Sequence, residues 1–257
     1  MGSALDTLTA SNDLQVRLNR YAEFDRINGA YLDWQLEQFL PFLGDRILEI
    51  GCGIGGILER LPPCSLIYSL DVEADVLAAA QQRFAGRPDC QFSLLDLATC
   101  SEQAFVDLKS QQFDTVLAIN VLEHIQNDGI ILQRVEQLLR PGGHLLILVP
   151  AHQWLYGEYD RLDGHFRRYS KNGLARLISQ TKLRIRRLHY FNLLGAAGWW
   201  LHYRFLKNAM HGAGQFALMS RMIPLMKWAE RIVSPPFGLS VIAVLQNPAE
   251  NDNTTGV

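Results

Sequence analysis

The chain has 257 residues, of which 48% are apolar and 19% charged. That composition fits one domain with a sizeable core and excludes a disordered, collagen-like or coiled-coil chain. The formal net charge is −2, yet Arg161–Arg231 holds 14 Lys/Arg against two acids, Asp163 and Glu230, so a +12 stretch sits beside a −14 remainder. Such a split suits either an anionic partner or a solvated basic face. The first ten residues carry Asp6 and no Lys or Arg, which is not a signal-peptide pattern. The apolar run Leu193–Leu201 is shorter than the ~20 residues a membrane helix needs. Cys52, Cys64, Cys90 and Cys100 show no CxxC spacing and read as reduced thiols, so a cytoplasmic protein is expected.

Along the chain, Leu14 to Leu40 has helical spacing and stops at Pro41 and Gly44. Short apolar runs then predict strands at Arg46–Ile50, Ser65–Leu70, Gln91–Leu95, Phe113–Ile119, His144–Val149, Leu183–Phe191 and Leu239–Gln246. Helices are expected between them at Gly55–Leu61, Glu73–Phe84, Ser101–Ser110, Asp128–Leu139 and Ser170–Gln180. This alternation predicts an α/β fold with a doubly wound sheet. One domain is expected, divided into an N-terminal helical cap (1–44), a core of alternating strands and helices (45–150) and a further segment (151–247). A helical insertion is expected at 195–236 and a polar, flexible tail at 248–257.

The strongest motif is Leu48-Glu49-Ile50-Gly51-Cys52-Gly53-Ile54-Gly55-Gly56. A strand, a glycine turn and an expected helix start would aim backbone N–H groups and a positive helix end at a ligand. The glycines also satisfy the dinucleotide pattern, but Glu49 discriminates: a carboxylate there suits an ammonium group better than a pyrophosphate. Twenty residues beyond Gly51 the second strand ends at Asp71, where a carboxylate can accept from both ribose hydroxyls of a nucleoside, with Val72 against the base. The third strand ends at Asp96, placed to accept from an adenine amino group, and the fourth delivers Asn120 to the same edge.

In order and spacing, LEIGCGIGG, SLDVEADVL, LLDLA, FDTVLAINVLEHI and LLRPGGHLLILVP resemble the class I S-adenosylmethionine-dependent methyltransferases over Arg46–Pro150. The resemblance implies a Rossmann-like seven-stranded sheet with the last strand antiparallel, and S-adenosylmethionine as cofactor. It implies that Glu49, Gly51, Gly53 and Gly55 surround the methionine part, Asp71 holds the ribose, Val72, Asp96 and Leu97 hold the adenine, and Asn120 sits near the sulfonium. Beyond Pro150, Tyr159–Ser170 and Asn192–Leu201 resemble segments of bacterial methyltransferases encoded with glycan or lipid pathways.

Three histidines are candidates for the base that takes the acceptor's proton: His124 after the fourth strand, His152 after the fifth, and His165 in the GHFRRY segment. Some quinol O-methyltransferases use E-x-x-E-H with a divalent metal. Here Asn120 replaces the first acid, so no metal is expected. Arg161, Arg167 and Arg168 could clamp an anionic acceptor, and Tyr21 could close over it, whereas Trp34 reads as core packing. The reading is methyl transfer to an oxygen or nitrogen of a small molecule. The alternatives are a lipid-linked or anionic glycan precursor at a membrane surface and, in another class, an NAD-dependent oxidoreductase. No nucleic-acid partner is expected; peripheral membrane contact and homo-oligomerisation are compatible with the aromatic and basic insertion.

Overall fold

The computed structural model describes residues 18–19, 22–23, 25–26, 29–201, 222–230 and 235–249. Seven strands form one sheet: β1 Arg46–Ile50, β2 Leu66–Asp71, β3 Cys90–Leu94, β4 Phe113–Ile119, β5 Leu139–Pro150, β6 Arg184–Phe191 and β7 Ser240–Gln246. Their order is β3-β2-β1-β4-β5-β7-β6. The first five pair in parallel, and β7 runs antiparallel to both β5 and β6. The sheet is therefore the doubly wound, Rossmann-like one with its last strand antiparallel. Strands β6 and β7 come from beyond residue 150 and complete the sheet that the 45–150 region begins.

The central strands are largely apolar because both their faces are covered. Ile47, Leu117, Leu146, Leu148, Ile242 and Val244 pack with Trp34, Phe39, Ile223 and Met226 on one side. Leu48, Val116, Ala118, Leu145, Ile147 and Ala243 meet Phe105, Leu132, Val135 and Leu174 on the other. Edge strand β6 exposes its first four residues, including Arg184, Arg186 and Arg187. Cations there discourage pairing with a second sheet, which accounts for part of the basic stretch without any anionic partner.

Two local expectations change. Gly55–Leu61 is a run of turns and a 3₁₀ segment, Leu58–Arg60, rather than an α-helix. Pro62 forces Leu61 out of the helical region (ψ 137°), and too few residues remain to nucleate a helix. The glycine loop therefore has no helix dipole behind it. Strand β5 begins five residues before His144, and the helix Glu158–Leu162 appears in a segment whose spacing gives no helical signal. Of the insertion, Leu193–Leu201 and residues 222–230 are helical; 202–221 and 231–234 lie outside the described residues, as do Tyr21 and the tail from residue 250. Among the described residues no helix is long and apolar enough to cross a membrane.

Candidate functional site

At the carboxyl end of β1 the chain turns sharply, and the N–H groups of Gly51 and Cys52 both donate to Leu70 O (2.8 and 3.0 Å). Gly51, Gly53 and Gly55 have φ of +70°, +55° and +87°, a region that favours glycine. A Cβ on Gly55 would lie 2.2 Å from the Phe84 ring and one on Gly51 2.8 Å from Val121, whereas one on Gly53 meets nothing. The loop is packed from behind and open at Gly53.

Beneath it lies Glu49, buried, with Ser69 Oγ donating to its Oε2 at 3.0 Å. Burial pushes the Glu49 carboxyl up to about 8, the Ser69 hydrogen bond opposes this, and Asp71 adds to it. Glu49, Gly51, Cys52, Ile57, Leu117 and Ile119 line a small cavity on this side of the sheet. The Cys52 thiol is likewise pushed up by burial, so it is an inert wall.

Asp71 ends β2 and stitches the loop to it: Oδ2 accepts from Gly53 N (2.8 Å) and Oδ1 from Glu73 N (3.0 Å). Each oxygen keeps a further lone pair for a ligand. The next residue, Val72, is 65% exposed although apolar. Asp96 is exposed and accepts from Ala98 N and Thr99 Oγ1, both at 2.8 Å. The Leu97 side chain is in the core, so only its main chain can face a ligand. Asn120, exposed at φ +52°, ties β4 to β5 through its N–H on Leu148 O (2.8 Å).

The three histidines separate by environment. His165 Nδ1 is 2.8 Å from Asp160 Oδ1 and Nε2 is 3.1 Å from Asp163 Oδ2; these carboxylates outweigh burial and raise it to about 9. With a carboxylate on each ring nitrogen it favours the charged form and is a poor base. Burial lowers His124 and His152 below the ordinary histidine value, aided by the His165 and Arg168 charges respectively. His152 follows β5 at φ +64°, its ring stacked on Tyr190 (4.7 Å) and its Nε2 buried with no hydrogen-bond partner.

Each of the three arginines expected to clamp an anion has an acidic partner within the chain. Arg168 is buried and donates to Asp160 (2.7 Å), with its guanidinium 5.0 Å from the centre of the Trp199 ring. Arg167 pairs with Asp128 (3.0 Å) and donates to Gln126 O (2.7 Å). Arg161 pairs with Glu158 (2.9 Å) at the surface.

A family model described as a methyltransferase domain matches residues 48–145. By this match residues 48–145 are those of a methyltransferase domain, whose sheet is completed by β6 and β7 from beyond residue 150. A ubiquinone biosynthesis O-methyltransferase of Paracidovorax citrulli is 29% identical over 129 residues, 49% of this chain and 51% of the relative. The match thus spans about half the length of that curated relative. Among solved structures, the N-methyltransferase NodS from Bradyrhizobium japonicum, in complex with S-adenosyl-L-homocysteine, aligns over 86% of this chain and 88% of its own. Its TM-score is 0.56 at 16% identity. The [4+2]-cyclase SpnF, also at TM-score 0.56 and 16% identity, covers 88% of this chain and 81% of its own, so the fold by itself does not select the reaction.

Within the methyltransferase domain the structure brings Glu49, the glycines, Asp71, Val72, Asp96 and Asn120 to one edge of the sheet. It adds residues that sequence reasoning missed. Ser69 is the register partner of Glu49 across β1 and β2, a pairing readable only once those strands are aligned. Asp160 holds both His165 and Arg168 from five and eight residues away, a spacing that matches no regular element.

Proposed function

We propose that the chain transfers a methyl group from S-adenosylmethionine to an oxygen or nitrogen of a small molecule. The observation that carries this is Glu49, a buried carboxyl pushed up to about 8 beneath a glycine loop that is open at Gly53. Without a cation it is held largely protonated. An amino acid's ammonium group would supply the charge it lacks, and a pyrophosphate would not.

The other residues fit the same cofactor. Asp71 has lone pairs for the ribose hydroxyls, exposed Val72 and Asp96 offer the adenine an apolar face and an acceptor, and the open face of Gly53 admits close approach. Bound there, the cofactor supplies a methyl on a positively charged sulfur. The chain's residues orient the acceptor and remove its proton. His152 suits the proton removal, being neutral at pH 7, with a buried unpartnered Nε2, two strands from Glu49 at the same edge. The N-methyltransferase and O-methyltransferase relatives support a small-molecule acceptor. Arg168 is buried in its pair with Asp160, so an anionic acceptor would rely on exposed Arg161 and half-buried Arg167.

A lipid-linked acceptor is favoured by one feature. Helix 222–230 buries Ile223 and Met226 in the core but leaves Leu225 and Trp228 exposed on its opposite side. A methyl-labelled cofactor, offered the low-molecular-weight and lipid fractions of a cell extract separately, tests both readings. Label in the first supports the proposal, label in the second the alternative, and label in neither counts against transfer.

A further inference from the structure

We infer that Glu123, His124 and His165, with Asp163 beside them, form a binding site for a divalent transition-metal cation, zinc being the best match. Asn120 removes the acid that would suggest a metal from sequence, but the fold supplies a different donor from forty residues further on. One ligand atom from each of Glu123, His124 and His165 lies within 4.8 Å of the other two. The two imidazole rings meet edge to face, 4.6 Å between centroids.

The carboxylate points to a cation. Glu123 is completely buried, and neither of its oxygens has a hydrogen-bond partner. A carboxylate in that position is costly, and His165, within 4.8 Å, gives it no hydrogen bond. The site is also braced. Phe166 N donates to Glu123 O at 2.7 Å, so the loop carrying His165 is clamped to the turn carrying Glu123 and His124. His165 Nδ1 meets Asp160, a buried carboxylate that Arg168 and Gly157 N also hold in place. A carboxylate on the far nitrogen is the usual support of a metal-bound histidine, and Nε2 takes the metal by releasing its proton to solvent. Asp163 Oδ2, 3.1 Å from that Nε2, is placed to become a fourth ligand when the ion takes the space between them. Two imidazoles and carboxylate oxygens suit zinc over magnesium or calcium, which prefer oxygen alone. Tetrahedral bonds of about 2.0–2.1 Å bring ligand atoms about 3.3 Å apart, so small side-chain rotations close the site.

Metal binding at this cluster does not depend on the transfer reaction. Its test is calorimetric titration of the chelator-treated full chain with zinc chloride, together with cobalt(II) absorption spectra. One equivalent should bind, and cobalt should show tetrahedral bands without thiolate charge transfer, which excludes Cys64 and Cys90 as the ligands. His124→Ala removes a side chain outside the hydrophobic core and should keep the fold, as its melting curve will show; it should weaken zinc by ~10-fold or more. Glu123→Gln should do the same while retaining the shape of the site. Absence of stoichiometric binding, a thiolate signature, or affinity unchanged in His124→Ala would overturn the inference.

Discussion

Ser69 and Glu49 face each other across β1 and β2, and the serine hydroxyl donates to the glutamate at 3.0 Å in a fully covered part of the sheet. A protonated carboxyl tolerates that burial, and a carboxylate requires a cation. Folded-state protonation up to about pH 8, against the ordinary carboxylate range when unfolded, means the native state binds the extra proton between those limits. Stability should therefore fall as pH rises from about 5 to 8. Glu49→Gln should flatten that decline in thermal melts across the range. The same variant should weaken S-adenosylhomocysteine by ~10-fold or more, since a charge-assisted contact is worth about 1.5–3 kcal/mol. Unchanged affinity in Glu49→Gln would remove the ammonium from this site.

Asp71→Ala should reduce cofactor affinity by a comparable ~1.5–3 kcal/mol. It should also loosen the glycine loop, because Gly53 N and Glu73 N lose their acceptor. Amide exchange in the 51–56 segment would register the second effect separately; protection equal to wild type there would refute the stitching role.

Gly55→Ala addresses the loop from the other side. At φ +87°, with a new Cβ 2.2 Å from the Phe84 ring, the substitution brings backbone strain together with a steric clash. A loss of more than ~1 kcal/mol of stability is expected by denaturant unfolding. By contrast, Gly53→Ala should cost only the conformational strain and reduce ligand affinity, because its Cβ would point into open space.

How legible each part of the molecule is from sequence varies with the physics involved. The strands β1 and β4 are readable to the residue because buried parallel strands are largely apolar and bounded by polar turns. Asp71, Asp96 and Asn120 can be placed because each stands at or just beyond the end of such a run. Gly55–Leu61 misleads because its glycine-to-leucine pattern fits a helix, while Pro62 truncates it one residue later. The acceptor side is least legible. Arg167 and Arg168 look like a free basic pair in sequence, and only the chain's return past Asp128 and Asp160 reveals their partners.

His152→Asn tests the assigned base while keeping a residue that tolerates φ +64°. Turnover should fall by roughly 100-fold, the lower end for loss of a general base, with cofactor affinity unchanged. In the wild type the acid limb of the pH–rate profile should lie below ~6.5, because burial and the Arg168 charge hold the imidazole neutral. An acid limb above 7, or full turnover in His152→Asn, would move the base elsewhere.

Asp160→Asn removes the anion shared by Arg168 and His165 and leaves two buried cations with one fewer partner. Breaking a buried pair in this way costs about 3–5 kcal/mol, so the melting temperature should drop by several degrees. An Asp160→Asn protein as stable as wild type would show that the network is more hydrated than its burial indicates.

The most direct test of the central claim is calorimetry of the full chain with S-adenosylhomocysteine and, separately, with NADH. The Glu49–Gly53–Asp71 arrangement predicts micromolar binding of S-adenosylhomocysteine and none of NADH. Tight NADH binding with no response to S-adenosylhomocysteine would contradict it.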